Sequence, residues 1–370
     1  MAPGIDLALS EIGDASVRAV FLKSRFRWTG WSVLTLEVCL FLALACSCSA
    51  ALESDRTIAQ FAHTAWGPKD GVPSPVRALA QTSDGYLWLG GSDGLYRFDG
   101  VVFERYQPQS GGPFPGSPVT SLLALTNGDL WIGFMPGAIT LLRNGNATNY
   151  TVREGVPNEE ILGFAQDREG TIWAATKAGL ARLDGNRWKA VGKDWNFPGG
   201  LVHTIFLDRQ GTLWVSTENT LLFLPLGERR FQPTGIRVGE VTQIAQAANG
   251  KLWMAETTRS VRPIPLSDKR QPPDETEVQV GSIGILVDND GALWITSLGD
   301  GLRRSQVPGS LKGKIEGIST AVESFTAKEI SGSEPTTVWI ASAKRTWYQL
   351  FSPSSPGMLF WLLELTEMSG

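Results

Sequence analysis

Cysteine and histidine are nearly absent from this sequence. Its three cysteines, Cys39, Cys46 and Cys48, all lie before residue 50, and its two histidines are His63 and His203. Everything after residue 48 therefore lacks the groups for a disulfide or a thiolate metal site. Two histidines without cysteine also cannot build a histidine-rich zinc site, although carboxylate-based calcium binding stays possible. We predict no cofactor.

An excess of positive charge is lacking as well. The chain has 33 Lys and Arg against 37 Asp and Glu, a net charge of -4. Phosphate binding requires a basic face, so we predict no nucleic-acid partner. No nucleophile elbow, P-loop or dinucleotide fingerprint is present. With 42% hydrophobic and 19% charged residues, the composition is that of an ordinary globular protein.

Long apolar runs are scarce, and the main one lies near the N-terminus. Basic Lys23, Arg25 and Arg27 precede an apolar stretch over residues 28–45, which small residues follow. This order is typical of a secretory signal peptide. We predict that residues 1–51 are a leader with a signal peptide and that the remainder is exported to the periplasm or another extracytoplasmic space.

Two alternatives to cleavage stay open for this segment. It could be retained as a membrane anchor, although Glu37 within it would be costly in lipid. Cys46 follows Leu-Ala, which is faintly similar to a lipoprotein cleavage site.

Glycine and tryptophan, in contrast, are abundant and periodic. The phrase Asp-Gly-Tyr-Leu-Trp-Leu-Gly at residues 84–90 recurs with drift, and its copies are 39 to 43 residues apart. This period is typical of a propeller blade. The repeat tryptophans are Trp88, Trp131, Trp173, Trp214, Trp253 and Trp294.

Each repeat predicts one four-stranded antiparallel blade. Four short β-rich runs are separated by Asp-Gly or Asn-Gly turns, which suit tight hairpins. The strand that carries the tryptophan is apolar on both faces, as expected for a strand packed between two neighbouring blades. We therefore assign the tryptophan ring to the core; the alternative is a ring of ligand-stacking aromatics.

The ends of the repeat array indicate how the ring closes. The phrases at residues 69–73 and 153–157 are similar and lead into the inner strands of blades. The run Ile58 to Trp66, before the first of them, is predicted to be the outer strand of the last blade, because pairing the two ends removes an open edge.

Residues 61–66, 84–100 and 167–173 resemble the two-component regulator propeller repeats, and the resemblance covers roughly residues 56–332. The family forms the extracytoplasmic sensor part of many bacterial hybrid histidine kinases. The resemblance implies an all-β, seven-bladed β-propeller, usually followed by a β-sandwich, a membrane helix and kinase modules.

The end of the chain departs from that plan. A seventh Asp-Gly-x-Leu-Trp phrase is missing, and Trp339 or Trp347 could be its remnant. We predict an incomplete seventh blade closed by the N-terminal strand. The expected domains are a propeller over 52–335 and a degenerate remnant with a non-family tail over 336–370, that is, a truncated sensor without its own kinase.

Loops that open around the central channel on one face are the expected ligand site. Their candidate residues are Arg153, Glu154, Lys177, Trp195, Phe197, Glu218, Arg259 and Asp300. The two aromatic residues could form a stacking platform for a sugar or a plug over the blade edge. The Pro/Gly-rich stretch 108–118 could be a lid or only a connection.

The sequence favours a sensor propeller that binds a small molecule or glycan and, in a full-length relative, signals to a histidine kinase. The alternative is a propeller enzyme, similar to a lyase, lactonase or glycosidase, acting on an exported polar substrate. We predict no catalytic residue: His63 and His203 are expected to be structural. Asp167, Asp208 and Asp288, each six residues before a repeat tryptophan, are expected to cap turns although they resemble the Asp-box of sialidases. A protein-docking platform is a third option.

Overall fold

The computed structural model describes residues 66–73, 75–257, 261–265, 282–287, 291–297, 301–305, 315–317, 336–343, 346–349 and 358–365. The leader, most of the proposed closing strand, His63, Arg259, Asp288 and Asp300 lie outside these ranges, so the predictions made for them stay predictions. Among the described residues, no helix is long and apolar enough to cross a membrane.

Short strands make up nearly all regular structure in the described part. They are β1 Val76–Gln81, β2 Leu87–Gly91, β3 Gly94–Phe98, β4 Phe103–Arg105, β5 Val119–Ala124, β6 Leu130–Phe134, β7 Ala138–Arg143, β8 Asn146–Tyr150, β9 Ile161–Gln166, β10 Ile172–Thr176, β11 Gly179–Asp184, β12 Arg187–Ala190, β13 Val202–Leu207, β14 Leu213–Thr217, β15 Thr220–Leu224, β16 Gln232–Arg237, β17 Val241–Gln246, β18 Leu252–Glu256, β19 Val261–Ile264, β20 Ser282–Val287, β21 Leu293–Ser297, β22 Gly301–Ser305, β23 Ile315–Gly317, β24 Thr336–Ala343, β25 Thr346–Gln349 and β26 Met358–Leu365. Three 3₁₀ turns lie at Pro68–Asp70, Val152–Glu154 and Lys193–Trp195.

The strands form antiparallel blades in chain order. β1–β4, β5–β8, β9–β12, β13–β16 and β20–β23 are four-stranded sheets, and β17–β19 form a sheet of three strands within the described residues. In blade one, Trp88 on β2 lies opposite Ala80 of β1 and Arg97 of β3. The predicted β-propeller with four-stranded antiparallel blades is confirmed.

The prediction of seven blades is wrong, because the residues that the structure describes form six. The remaining sheet has the order β25-β24-β26, and its β24–β26 pair is parallel. A blade is an antiparallel meander joined by tight hairpins, whereas parallel neighbours need a crossing connection. This sheet differs from a blade because the Asp-Gly-x-Leu-Trp phrase is missing, and that phrase would form the hairpin between the first and second strands. β25 lies beside β1 and β20, the inner strands of blades one and six.

The core consists of layers between neighbouring blades. Every residue of β2, β6, β10, β14 and β18 is buried. Trp131 of blade two meets Trp188 of blade three edge to face, with ring centroids 6.0 Å apart. Trp173 of blade three meets Phe231 of blade four in the same way at 6.2 Å. The repeat tryptophan thus fills the wedge between sheets, as the assignment to the core requires.

An acceptor six residues before the tryptophan holds the indole N–H in several blades. In blade three, Asp167 accepts from Trp173 Nε1 at 2.7 Å and from the backbone N–H of Thr171 at 2.7 Å. Asp208 makes the same pair of bonds in blade four, at 2.9 Å to Trp214 and 2.8 Å to the turn. These two aspartates therefore join the turn to the core tryptophan, in agreement with a capping role.

Other blades vary or lack this acceptor. In blade one the hydroxyl of Thr82 accepts from the indole at 2.9 Å. In blades two and five the corresponding positions are Leu125 and Ala247, and the Nε1 atoms of Trp131 and Trp253 are buried without a hydrogen-bond partner among the described residues. The blades therefore differ in whether the indole N–H of the core tryptophan has a hydrogen-bond acceptor.

Three of the connections that lead into blades share one local structure. Each 3₁₀ turn is followed by a residue in the left-handed region, namely Gly71, Gly155 and Asn196 with φ of 91°, 92° and 55°. Glycine adopts this conformation without cost and asparagine tolerates it. The segment 193–197 is therefore a third copy of the connecting phrase, in which Asn196 takes the place of the glycine.

The stretch 108–118 is fastened to the outside of blade two. The backbone N–H of Ala147 in β8 donates to Ser110 O at 2.9 Å. The Asn149 side chain donates to Pro113 O at 3.0 Å. The stretch therefore lies along the outer strand of the blade, which favours a connection over a lid on the channel.

Candidate functional site

A central cavity is formed where the inner strands of all six blades meet. It has a volume of about 460 Å³ and is lined by β1, β5, β9, β13, β17 and β20. Cavities of this size suit small-molecule ligands. Its polar lining residues are Arg77, Thr120, Ser121, His203, Thr204, Arg209, Thr242, Gln243 and Gln246.

His203 is the titratable side chain of this lining whose pKa is shifted. Burial lowers the pKa of His203, and the negative charges of Glu240 and Glu218 partly oppose that shift. The imidazole is therefore mainly neutral near pH 7, so one ring nitrogen can donate a hydrogen bond and the other can accept one.

The loops at one end of the channel form its mouth. Lys177 Nζ lies 2.6 Å from Glu160 Oε2, and the side chain of Glu160 is only 7% exposed whereas that of Lys177 is 50% exposed. The backbone repeats the link, since Lys177 N–H donates to Glu160 O at 3.1 Å. In blade five, Thr257 makes the same backbone bond to Glu240 and adds a hydroxyl bond to its carboxylate at 3.0 Å.

The mouth is acidic between blades three and five. Glu218 is exposed in the β14–β15 loop, and Glu160 and Glu240 directly precede β9 and β17, the inner strands of blades three and five. The sequence pointed to Lys177 and Glu218 but missed the other two glutamates and treated His203 as structural. Their shared position, directly before or within an inner strand, is the signal that could have found them. Among the described residues, no group of His, Cys, Asp and Glu is arranged to hold a metal ion.

Arg153 and Glu154 lie elsewhere. Glu154 accepts from the backbone N–H of Thr151 at 2.8 Å and from its hydroxyl at 2.9 Å, and these bonds lower the pKa of the carboxyl group. The carbonyl of Arg153 accepts from Arg187, the first residue of β12, at 3.1 Å. The structure thus places this pair against the outer strand of blade three, away from the inner strands that line the channel.

Trp195 and Phe197 lie between blades three and four. Phe197 is 1% exposed and its ring is 5.4 Å from that of Phe231. Trp195 is partly buried, meets Trp173 edge to face at 5.5 Å, and has Arg182 Cζ 5.0 Å from its ring centroid. The position of Phe197 favours a core plug, whereas the ring of Trp195 also borders open space.

That open space is a second cavity, of about 410 Å³. It is bordered by Trp195, the turn 167–171 and the loop 225–229. These segments join first to second strands and third to fourth strands, so they lie at the opposite end of the blades from Lys177 and Glu218.

Comparison with known proteins identifies the repeats. The family model of the two-component regulator propeller matches residues 70–93 and 196–219. The predicted resemblance to this family is thereby confirmed. No curated protein sequence matches the chain.

Several solved structures share the fold. One is the extracellular domain of a B. thetaiotaomicron protein described as a hybrid two-component system, with 17% identity and a TM-score of 0.55 over 66% of this chain and 35% of that chain. This chain therefore spans little more than a third of the length of that relative. A catalytically inactive His-to-Ala variant of virginiamycin B lyase from Staphylococcus aureus, with quinupristin, has 15% identity and a TM-score of 0.54 over 70% and 87% of the two chains. A streptogramin B lyase has 16% identity and a TM-score of 0.52 over 71% and 88%.

Proposed function

We propose that this chain, which carries two-component regulator propeller repeats, is the extracytoplasmic ligand-binding propeller of a two-component sensor. The observation that carries the proposal is the central cavity of about 460 Å³, which is lined by the inner strands of all six blades. The family match and the fold shared with a two-component extracellular domain support it.

The mouth suits a small polar ligand, either a free molecule or the end of a glycan. Lys177 and Glu218 offer a cation and a carboxylate that are at least partly exposed, and half-buried His203 offers a donor and an acceptor. The nearby Glu240 adds to the negative charge on this side. We therefore expect hydroxyl or amine groups on the ligand rather than phosphate.

Signalling would follow from contacts with more than one blade. A ligand held by the loops of blades three to five would favour the arrangement of blades in which its contacts are best. In a full-length relative this shift would reach a histidine kinase. The expected site of action is outside the cytoplasm.

A second candidate function is catalysis, and His203 favours it. A neutral histidine beside carboxylates can act as a general base, and burial keeps the pKa of this side chain low. Virginiamycin B lyase, whose His-to-Ala variant is catalytically inactive, shares the fold at 15% identity. A lyase-like reaction on a polar substrate would require His203, whereas binding alone would tolerate His203→Gln.

A thermal-shift screen tests the proposal. The full chain is heated with a panel of sugars, amino acids, polyols and organic acids. A ligand at 100 times its Kd adds about 2.7 kcal/mol, which raises the melting temperature by roughly 4–5 °C in a propeller of this size.

Glu218→Gln should reduce the shift, and Glu104→Gln, on the outer strand of blade one, should not. A ligand that raises the melting temperature of both variants by the same amount as that of the wild type would exclude the channel mouth as its binding site. Chemical turnover of a bound compound, lost in His203→Gln, would favour the enzyme.

A further inference from the structure

We infer that the cavity between blades three and four is a second binding site, and that it takes a small molecule with a carboxylate, an ammonium and an apolar group, of the class of free α-amino acids. This cavity lies at the opposite end of the blades from the channel mouth. The inference therefore does not rest on the proposed function.

Trp195 stands where the other two 3₁₀ turns carry an acidic cap. In the first connection Asp70 accepts from the backbone N–H of Gly67 at 2.7 Å, and in the second Glu154 accepts from Thr151 at 2.8 Å. The third 3₁₀ turn, which ends at Trp195, has no side-chain cap. The third turn thus lacks the capping hydrogen bond from an acidic side chain, and the indole of Trp195 lies in the cavity wall at that position.

Core packing accounts for only one side of this indole. Phe197 and Phe231 are fully buried and fill the layer between the two blades. Trp195 stays partly buried and borders both that layer and the cavity. One part of its ring is therefore available to an apolar group of a ligand.

Arg182 provides the group that would bind a carboxylate. It lies on β11 opposite Trp173, with its guanidinium 5.0 Å from the ring centroid of Trp195. Its ion pair with Asp184 is long, at 3.8 Å, and Asp184 is 42% exposed, so solvent weakens that pair. A guanidinium beside a partly buried aromatic ring can bind a carboxylate through two parallel N–H donors.

The rim of the cavity completes the set of groups. Glu169 and Glu228 are exposed carboxylates that line it, and each can pair with an ammonium. Leu226, also in the lining, is 44% exposed and offers an apolar surface. A volume of about 410 Å³ is sufficient for an amino acid of any size. Cation, carboxylates and apolar surface together match a zwitterion with an apolar side chain.

Blade one has an arginine at the position equivalent to Arg182, and its contacts indicate a structural role. Arg97 lies opposite Trp88, as Arg182 lies opposite Trp173. Arg97, however, pairs with Glu104 at 3.0 Å and stacks on Tyr86 at 4.4 Å. It therefore provides a matched control position.

Titration calorimetry on the full chain tests the inference with defined probes. The probes are L-phenylalanine and L-leucine, then 3-phenylpropionate without the ammonium, phenethylamine without the carboxylate, and D-glucose. We expect saturable binding of at least one amino acid, weaker binding of 3-phenylpropionate, and no binding of phenethylamine or glucose that Trp195→Ala changes.

Two arginine variants then assign the site. Arg182→Gln should weaken amino-acid binding by roughly 10-fold or more, because it removes a charge-assisted pair. Arg97→Gln should leave the affinity within twofold. Circular dichroism confirms that both variants are folded, and Arg182→Lys, which keeps the charge but not the paired donors, should bind at an intermediate level.

Three results would overturn the inference. Folded wild-type protein that binds neither amino acid excludes this ligand class. Equal affinity in wild type and Arg182→Gln excludes the site. Binding of glucose that is lost in Trp195→Ala while the amino acids do not bind would assign the cavity to a sugar.

Discussion

The bond between Asp208 and Trp214 gives the sharpest test of how the blades are held together. Asp208 is 6% exposed and accepts from Trp214 Nε1 at 2.9 Å and from Thr212 N–H at 2.8 Å. Asp208→Ala removes both acceptors and leaves a buried indole N–H and a turn N–H without their partner. We expect a substantial loss of stability.

The magnitude follows from the two bonds. A hydrogen bond to a charged group contributes about 1.5–3 kcal/mol, so losing two predicts a loss of about 3 kcal/mol or more. We expect a loss in the free energy of unfolding of about 3 kcal/mol rather than a larger one. Blade five folds with Ala247 at the same position and with Trp253 Nε1 unpartnered among the described residues. Asp208→Asn keeps one acceptor oxygen and should lose roughly half as much.

Urea unfolding followed by tryptophan fluorescence and circular dichroism measures the change. Glu159→Ala is the control, since Glu159 is an exposed loop residue and its loss should change stability by less than about 0.5 kcal/mol. A loss for Asp208→Ala no larger than that of the control would refute the view that this carboxylate joins turn to core.

Three further predictions concern other contacts. Gly137→Ala would place a Cβ 1.7 Å from Pro157 O, so we expect a loss of about 3 kcal/mol in urea unfolding. Arg143 holds the pKa of Asp129 below its usual value through a 2.5 Å contact; this stability is present above about pH 4 and is lost as the pH falls. Arg143→Ala should thus be less stable at pH 7, with the difference shrinking in acid titrations. Burial lowers the pKa of His203, so the wild type should lose stability as the pH falls through about 6.5, and His203→Gln should lose less.

Each of these has a result that would contradict it. Gly116→Ala is the control for Gly137→Ala, because its Cβ would meet only Phe134 at 3.8 Å; equal stability of the two variants refutes the steric argument. A constant difference between wild type and Arg143→Ala from pH 7 to pH 3 would show that the ion pair is not the cause. Parallel pH profiles of wild type and His203→Gln would exclude His203 as the titrating group.

The sequence predicted the blades because one phrase carries several constraints at once. Its glycine forms the hairpin, its tryptophan fills the wedge, and its spacing sets the strand lengths. Where the phrase was missing, near the end of the chain, the expected seventh blade was wrong. There the pairing of β24 with β26 depends on contacts that no local pattern specifies.

The candidate site was predictable only in part. Lys177 and Glu218 follow second strands, and the repeat register alone placed them at the channel mouth. Glu160 escaped notice because its importance comes from the ion pair with Lys177, which two separate loops create. Trp195 was noticed as an aromatic residue outside the repeat, but the register did not show that Asn196 continues the connecting phrase and places the indole at the other cavity.

Hydrogen–deuterium exchange of the full chain, with and without a ligand that the thermal-shift screen finds, tests the central proposal most directly. Ligand at the channel mouth should slow exchange in the segments around Lys177, Glu218 and Glu240 and leave the loop 225–229 unchanged. Protection confined to 225–229 or to the outer strands, with no change at the mouth, would contradict the account.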